Sequence, residues 1–315
     1  MSYTGTASSH PQSVHVDPQL RKVLVATDLA PSSEKAVRYA AALARRYGSK
    51  FYLMNVVSSL GYTIVGPQSL TLASDLALRD ARHLDSELAA AGFFDHCEHQ
   101  VIVKTGEVWS EVQSVIEREK IDLLVVGTHS RGGLAKVVLG SVAEQIFRHA
   151  SCPVLTVGPY SPRREDAIVS DATRPLLFAT DFSSESMAAL PYAISYVNRR
   201  NCQLILMHVH SPVPEVIENR WYTAADVVEM AKKAKEIAHQ KLLALVAPGE
   251  LKQEPLAIVR TGAVEDAIVQ TADELHALGI AIGLKPHGDV ATHLRWSTAY
   301  NIVCRATCPV LTVRS

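Results

Sequence analysis

Cysteine is scarce in this chain, with five residues among 315. They stand at scattered positions: Cys97, Cys152, Cys202, Cys304 and Cys308. Small domains held together by disulfides carry dense, usually even sets of cysteines. The scarcity therefore argues against a disulfide framework and favours a cytoplasmic location.

Long apolar runs and an excess of one charge are also missing. Lys and Arg total 31 against 32 Asp and Glu, so electrostatics gives no reason to expect nucleic acid or an anionic membrane as the main partner. No run approaches the roughly 18 apolar residues that a transmembrane helix needs. Residues 1–18 lack the basic and apolar regions of a signal peptide, which indicates a flexible N-terminal leader.

A recognisable metal-binding pattern is absent as well. The cluster DHCEH at 95–99 contains possible ligands, but its spacing matches none of the usual zinc patterns. Neighbouring residues of an extended chain point to opposite faces, so Cys97 and Glu98 would not converge on one ion. We expect a solvated strand entry here and no metal.

The two halves of the chain repeat each other. The run RKVLVATD at 21–28 returns 153 residues later as RPLLFATD at 174–181. The run SCPVLTV at 151–157 returns 156 residues later as TCPVLTV at 307–313, and KTG at 104–106 returns as RTG at 260–262. A period this long marks duplicated domains rather than a solenoid.

Short apolar runs alternate with amphipathic stretches in each copy, as expected for strands buried on both faces and connected by helices. The pattern predicts an α/β fold of two tandem doubly wound, five-stranded parallel-sheet domains of Rossmann-like type. The expected division is a leader at 1–18, a first domain at 19–158, a linker at 159–173 and a second domain at 174–315. In copy one the predicted strands are 23–27, 51–57, 101–104, 123–127 and 153–157; in copy two they are 176–180, 203–209, 257–260, 277–283 and 309–313. The predicted helices are 33–47, 71–91, 107–119 and 142–150, then 184–199, 224–246, 264–273 and 294–305.

The loop after the first strand contains the first candidate site residue, Asp28. Ligands of open parallel sheets gather beyond the carboxyl ends of the strands. A carboxylate there can accept hydrogen bonds from an adenine amine or a ribose hydroxyl. Alternatively, Asp28 and Ser32 simply cap the following helix. The spacing alone leaves both interpretations open.

A second loop, GTHSRGGLAKVVLGSVAE at 127–144, is rich in glycine and leads to a helix N-terminus. Free N–H groups and the helix dipole favour an anion at such a terminus. Arg131 and Lys136 add positive charge. The run Ser141 to Glu144 also has the form of a capping box, and a capping hydroxyl can still face a ligand. The loop is not a Walker motif, because it lacks Gly-Lys-Ser/Thr.

These residues resemble the universal stress proteins in their tandem form, of the adenine-nucleotide α-hydrolase-like fold. The family loop reads Gly, two residues, Gly, nine residues, Gly and Ser or Thr; here the anchors are Gly127, Ser130, Gly140 and Ser141. The resemblance implies ATP, with Mg, in the first domain. The implied binding residues are Ala26, Thr27, Asp28, Val56, Val126, Gly127, His129, Ser130, Arg131, Gly140, Ser141 and Val142.

Both copies depart from the family loop. In copy one Ser130 replaces the second glycine, which costs on the order of 1 kcal/mol if that position needs a positive φ. In copy two Pro286 stands at the position of Ser130 and Trp296 at that of Gly140, and Asp289 adds negative charge. Proline lacks an N–H donor and an indole fills phosphate volume, so we expect a closed second site with Asp181 as a helix cap.

The expected function is that of a cytoplasmic ATP-binding regulatory protein in the stress response, with unidentified protein partners. No arrangement for catalysis is evident, so ATP hydrolysis would be slow and incidental. The alternative is a nucleotide-free protein-interaction module of the same fold. A third and weaker hypothesis is an enzyme of the wider fold group. The resemblance also implies that the two closing strands pair antiparallel, giving a pseudo-dimer within the chain and leaving a homodimer open.

Overall fold

The computed structural model describes residues 17–59, 67–95, 97–128, 141–158, 161, 174–210, 223–285 and 298–315. The strands of the first half are β1 Lys22–Ala26, β2 Lys50–Ser58, β3 His99–Gly106, β4 Leu123–Gly127 and β5 Val154–Val157. Its helices are α1 Glu34–Tyr47, α2 Pro67–Ala90, α3 Val108–Glu119 and α4 Ser141–His149.

The second half repeats this order. Its strands are β6 Leu176–Ala179, β7 Leu204–His210, β8 Leu256–Thr261, β9 Gly279–Leu284 and β10 Val310–Arg314. Its helices are α5 Ser184–Met187, α6 Leu190–Arg200, α7 Ala224–Leu243, α8 Val264–Glu274 and α9 Thr298–Arg305. The predicted α/β class and the alternation of strands and helices are therefore confirmed.

Each half forms a parallel sheet, and the two halves join into one sheet of ten strands. The strand order is β3-β2-β1-β4-β5-β10-β9-β6-β7-β8. All neighbouring strands are parallel except at the centre, where β5 and β10 pair antiparallel with Leu155 opposite Leu311. The pairing predicted for the two closing strands is thus present within one chain.

Residues of β1 alternate between two apolar clusters on opposite faces of the sheet. Val23 and Val25 pack towards α1 and α2, whereas Leu24 packs towards α3 and α4. All three side chains are fully buried. Burial on both faces explains why these strands read as continuous apolar runs in the sequence.

One helix of copy two differs from its counterpart in copy one. The sequence predicts a single helix over 184–199, but the structure has the separate helices α5 and α6. Pro191 is the second residue of α6. Proline has no N–H to donate to the carbonyl of Met187, so the helix is interrupted there.

The structure describes four of the five residues at 95–99, where the sequence predicts no metal site. Cys97 is buried in the core and its thiol donates to the Ser49 carbonyl oxygen, while Glu98 is exposed. The described ranges contain no group of three potential metal ligands, and no helix in them is long and apolar enough to cross a membrane. His96 lies outside the described residues.

Helix α4 of the first half packs into the second half. Its Phe147 ring meets Tyr300 of α9 edge-on, with ring centroids 6.3 Å apart. Arg314, near the end of β10, donates from Nη2 to the carbonyl oxygens of Phe147 and Arg148 at 2.8 and 2.9 Å. A cation from the second half therefore satisfies carbonyls at the C-terminal end of α4, where the helix dipole favours positive charge.

Replacing Arg314 by leucine is expected to lower the free energy of unfolding by about 2 kcal/mol, because carbonyls of α4 lose a charged donor. Urea unfolding measures this loss. Arg79→Leu is the control, since the Arg79 side chain is 75% exposed. Equal losses in the two variants would contradict the proposed role of Arg314.

Candidate functional site

The candidate site lies where the strand order of the first half reverses. From β1 the chain runs to β2 on one side, whereas β4 lies on the other side, with Ala26 opposite Val126. Two crossovers that leave a sheet in opposite directions open a crevice at its carboxyl edge. The predicted residues Ala26, Thr27, Val126 and Gly127 therefore meet at one point of the fold.

Side-chain hydrogen bonds hold the loop after β1 in a fixed shape. The Thr27 hydroxyl lies 2.7 Å from Ser33 Oγ and accepts a bond from the Leu29 N–H at 3.0 Å. Asn55 of β2 donates to the Thr27 carbonyl oxygen at 2.8 Å. The Thr27 N–H also donates to the Met54 carbonyl oxygen at 2.9 Å, so the side chain and the backbone of Thr27 are both bonded inside the protein and fix the end of β1.

Asp28 is exposed at the tip of this loop, and its Oδ1 accepts a hydrogen bond from the Ala30 N–H at 3.1 Å. The N-cap of α1 is Ser33, which makes no side-chain capping bond. The alternative prediction, that Asp28 and Ser32 cap α1, is therefore wrong. The carboxylate instead stabilises a local turn and remains at the mouth of the crevice.

Three predicted residues form an apolar wall next to this turn. Ala26, Val56 and Val142 are all partly buried and pack against the same apolar cluster between the sheet, α3 and α4. They come from β1, β2 and the first turn of α4, so the fold brings distant parts of the sequence together. Partly buried aliphatic side chains of this kind can cover one face of a flat ligand.

Helix α4 begins at Ser141, next to the carboxyl edge of the sheet. It is nine residues long, and Glu144 in its first turn pairs with Arg148 at 2.7 Å. Four predicted residues, His129, Ser130, Arg131 and Gly140, lie outside the described residues. The same is true of Pro286, Asp289 and Trp296 in copy two.

The loop after β6 in copy two has the same hydrogen bonds as the loop after β1. The Thr180 hydroxyl lies 2.7 Å from Ser186 Oγ, and Asp181 Oδ1 accepts a bond from the Ser183 N–H at 3.0 Å. Leu29 and Phe182, which occupy equivalent positions, both have a positive φ, 61° and 65°. The duplicated sequence therefore gives a duplicated turn.

Asp181 does not cap the following helix directly, contrary to the sequence-based expectation. Ser183 is the N-cap, and its hydroxyl accepts a bond from the Ser186 N–H. Burial raises the pKa of Asp181, but hydrogen bonds from Ser183 outweigh this effect and keep the pKa below its usual value. The carboxylate thus holds the capping residue in place.

The surroundings of the second turn differ from those of the first. His208 replaces Asn55 as the residue bonded to the loop carbonyl, with its Nδ1 2.9 Å from the Thr180 oxygen. The Phe182 ring lies 4.7 Å from the His208 ring and 5.7 Å from Lys241 Nζ of α7. Phe182 therefore packs towards α6 and α7, as its counterpart Leu29 packs towards α1 and α2 in the first copy.

The space beside two equivalent glycines, Gly127 of β4 and Gly283 of β9, also differs between the copies. A Cβ built on Gly127 would lie 3.7 Å from Ser33 Cα, an ordinary contact. A Cβ built on Gly283, the equivalent residue of β9, would lie 2.6 Å from Ser186 Cα and 2.0 Å from the Glu185 oxygen. The start of α5 therefore lies about one ångström closer to β9 than the start of α1 lies to β4.

Sequence reasoning did not single out Asn55, Phe182 or His208. Their signal is nevertheless present, because Asn55 and His208 are 153 residues apart, the same offset that relates the two aspartates. A polar residue inside an apolar strand, aligned with another polar residue in the repeat, indicates a partner in the neighbouring loop.

Comparison with known proteins follows the same division into two repeats. The universal stress protein family matches residues 19–158 and again residues 172–314. A universal stress protein of Mycolicibacterium smegmatis is 25% identical over 302 residues, covering 93% of this chain and 96% of its own length. One from Methanocaldococcus jannaschii is 29% identical over 153 residues, which is 46% of this chain and 85% of that protein.

A solved structure has the same overall fold. The crystal structure of a universal stress protein from Archaeoglobus fulgidus aligns with a TM-score of 0.65 and 20% identity. The alignment covers 94% of this chain and 99% of that one. At this identity the likeness supports the arrangement of the two repeats and nothing about a ligand.

Proposed function

The chain belongs to the universal stress protein family and contains two copies of its domain; on this basis we propose that it is an ATP-binding regulatory protein of the stress response. We place the nucleotide in the first domain alone and the protein in the cytoplasm. The observation that carries the proposal is the pair of equivalent turns. They share their hydrogen bonds, but a Cβ on Gly283 would overlap the start of α5 whereas one on Gly127 would make ordinary contacts, and copy two has Trp296 where copy one has Gly140.

In the proposed complex the adenosine lies against the apolar wall of Ala26, Val56 and Val142. Asp28 accepts a hydrogen bond from the ribose or the adenine amine, and the base and sugar lie against the ends of β1 and β4 at Thr27 and Gly127. The phosphates, with their Mg²⁺, lie towards the N-terminus of α4, where N–H groups favour an anion. His129, Ser130, Arg131, Gly140 and Ser141 complete the phosphate loop by the family resemblance.

We infer binding without efficient catalysis. The Thr27 hydroxyl is paired with Ser33 rather than with a base, and Asp28 Oδ1 is engaged by a backbone N–H. Rapid phosphoryl transfer requires a positioned nucleophile and strong stabilisation of the transferred group. Any hydrolysis is therefore expected to be slow.

The thermal stability of the wild type with and without Mg-ATP tests the proposal. A ligand at 100 times its dissociation constant adds about 2.7 kcal/mol to the free energy of unfolding. Asp28→Ala is expected to weaken ATP binding by at least tenfold, because a charged acceptor is worth about 1.5–3 kcal/mol.

Asp181→Ala is the matched control for Asp28→Ala. Each substitution removes an Oδ1 that accepts an N–H two residues later, at 3.1 Å in Asp28 and 3.0 Å in Asp181. Asp181 Oδ1 also accepts a bond from Ser183 Oγ, so the stability of each variant without nucleotide is the reference for its own stabilisation by ATP. Only Asp28→Ala should reduce the stabilisation by ATP. An equal reduction in both variants would contradict a site confined to the first domain.

The alternative function is a nucleotide-free protein-interaction module. It is favoured by apolar side chains exposed on equivalent helices of the two copies: Leu72 is 61% exposed on α2, and Val228 and Ile237 are 69% and 55% exposed on α7. Exposed apolar side chains of this size suit contacts with another protein. Absence of any stabilisation by Mg-ATP in the wild type would favour this module.

A further inference from the structure

A glycine of the first copy stands where the second copy has Arg314. The offset of 156 residues between the two closing strands pairs Gly158 with Arg314. The Arg314 guanidinium donates to the carbonyl oxygens of Phe147 and Arg148 near the end of α4. Gly158 lies beside the end of α9, since a Cβ built on it would be 3.6 Å from the Ala306 carbonyl oxygen. Glycine has no side chain that could donate to this carbonyl, so the two sides of the junction are not equivalent.

Two buried hydroxyl groups border the same glycine. Thr128, the residue after β4, is 4% exposed, and Ser161 is 3% exposed. A Cβ built on Gly158 would lie 3.7 Å from Thr128 Oγ1 and 4.0 Å from Ser161 Oγ. Neither hydroxyl makes a hydrogen bond within the part of the chain that the structure describes. A buried hydroxyl without a partner is costly, so the pair indicates a bound group that both can reach.

The space beside Gly158 is small and bordered by oxygen atoms. Apart from the glycine's own chain neighbours, the three atoms nearest to a Cβ built there are the Ala306 carbonyl oxygen and the two hydroxyl oxygens, none closer than 3.6 Å. These are ordinary contacts for a methyl group, so the space accepts an atom of about that size. Each hydroxyl can donate or accept a hydrogen bond, whereas the carbonyl oxygen only accepts. The site therefore suits a small group that can both donate and accept.

The charges around this space select a neutral group. Lys35 Nζ of α1 donates to the Ser161 carbonyl oxygen at 2.5 Å, so a second cation close by would be repelled. The Ala306 carbonyl oxygen and the negative end of the α9 dipole repel an anion. A water molecule carries no net charge and commonly makes about three hydrogen bonds to buried polar groups, which is the number of oxygens at this site.

We propose that this site, the Gly158 pocket, binds one buried water molecule that bridges the two copies. The water donates one hydrogen to the Ala306 carbonyl oxygen of the second copy and joins Thr128 Oγ1 to Ser161 Oγ. It supplies the donor that the Arg314 guanidinium supplies at the other side of the junction. The end of β4, the segment between the repeats and the end of α9 are linked by it. The inference is independent of ATP binding.

A crystal structure of the full chain, at a resolution that shows ordered waters, tests the site directly. One water is expected within about 3 Å of both Thr128 Oγ1 and Ser161 Oγ, the usual length of such hydrogen bonds. The absence of a water at this place would overturn the proposal. A direct hydrogen bond between the two hydroxyls, or a metal ion in place of the water, would overturn it as well.

Urea unfolding of conservative variants tests the same bridge in solution. Thr128→Val keeps the shape of the side chain but removes its hydroxyl, so the water loses one of its partners. We expect the equilibrium constant of unfolding to rise about fivefold or more. Thr128→Ser keeps the hydroxyl and should raise this constant less. An equal rise in the two variants would contradict a role of the Thr128 hydroxyl.

A double-mutant cycle tests whether the two hydroxyls share one partner. Ser161→Ala should destabilise the Thr128→Val variant less than it destabilises the wild type, because the bridge is already broken in that variant. Ser86→Ala is the control, since this exposed serine of α2 bonds to the Arg82 carbonyl oxygen. Its effect should be the same in both backgrounds. Additive effects of Thr128→Val and Ser161→Ala would overturn the proposed bridge.

Discussion

Replacing Gly283 by alanine is expected to lower the free energy of unfolding by about 3 kcal/mol. The added methyl group would lie 2.0 Å from the Glu185 carbonyl oxygen and 2.6 Å from Ser186 Cα. Both are backbone atoms, so no rotation of a side chain can relieve the overlap. The start of α5 must move away from β9, and the hydrogen bonds of the turn after β6 are strained with it.

Gly127→Ala in the first copy is the matched control for this substitution. There the methyl group would meet Ala36 Cβ at 3.5 Å and Ser33 Cα at 3.7 Å, which are normal contacts. We expect a change below about 1 kcal/mol in urea unfolding. Similar losses in the two variants would contradict the difference in packing that distinguishes the two copies.

Gly140→Trp is expected to abolish the stabilisation of the first domain by Mg-ATP, a loss of about 2.7 kcal/mol at 100 times the dissociation constant of the wild type. The substitution gives the first copy the residue that copy two has at position 296. An indole would occupy volume that the phosphates need, and glycine is the residue that lets backbone approach a phosphate closely. Thermal unfolding with and without nucleotide measures the effect.

Trp296→Gly is the reciprocal control. It restores glycine to the second copy but leaves Pro286 and Asp289, so it should not create a second ATP site. If Gly140→Trp retained the full stabilisation, the nucleotide would bind elsewhere than the loop before α4. If Trp296→Gly gave a second site, the indole alone would close the second domain, and Pro286 and Asp289 would not.

Much of the fold follows from the sequence because the apolar runs are short, repeated and buried on both faces. Val23 to Val25 illustrate this, since all three are buried and face opposite sides in alternation. The antiparallel pairing of β5 with β10 was also predicted, from the family resemblance. The break between α5 and α6 was missed, although Pro191 marks it, because the apolar spacing continues across the proline.

The site was only partly predictable. Strand ends identified Ala26, Thr27, Val126 and Gly127, because carboxyl ends of parallel strands meet at one edge. Local spacing does not reveal whether Asp28 caps a helix or closes a turn. Both roles place a short side chain with a hydrogen-bond acceptor just before a helix. The role of Asn55 and the ring contact between Phe182 and His208 depend on contacts between separate strands and loops, which no local pattern encodes.

Equilibrium dialysis of the full chain against labelled ATP with Mg²⁺ tests the central claim most directly, because it counts bound nucleotides per chain. One glycine-rich loop and one loop with Pro286 and Trp296 predict a saturation value of one ATP per chain. Asp28→Ala should raise the dissociation constant at least tenfold, and Asp181→Ala should leave it unchanged. A value of two would contradict the closure of the second domain. A value of zero would contradict ATP binding altogether.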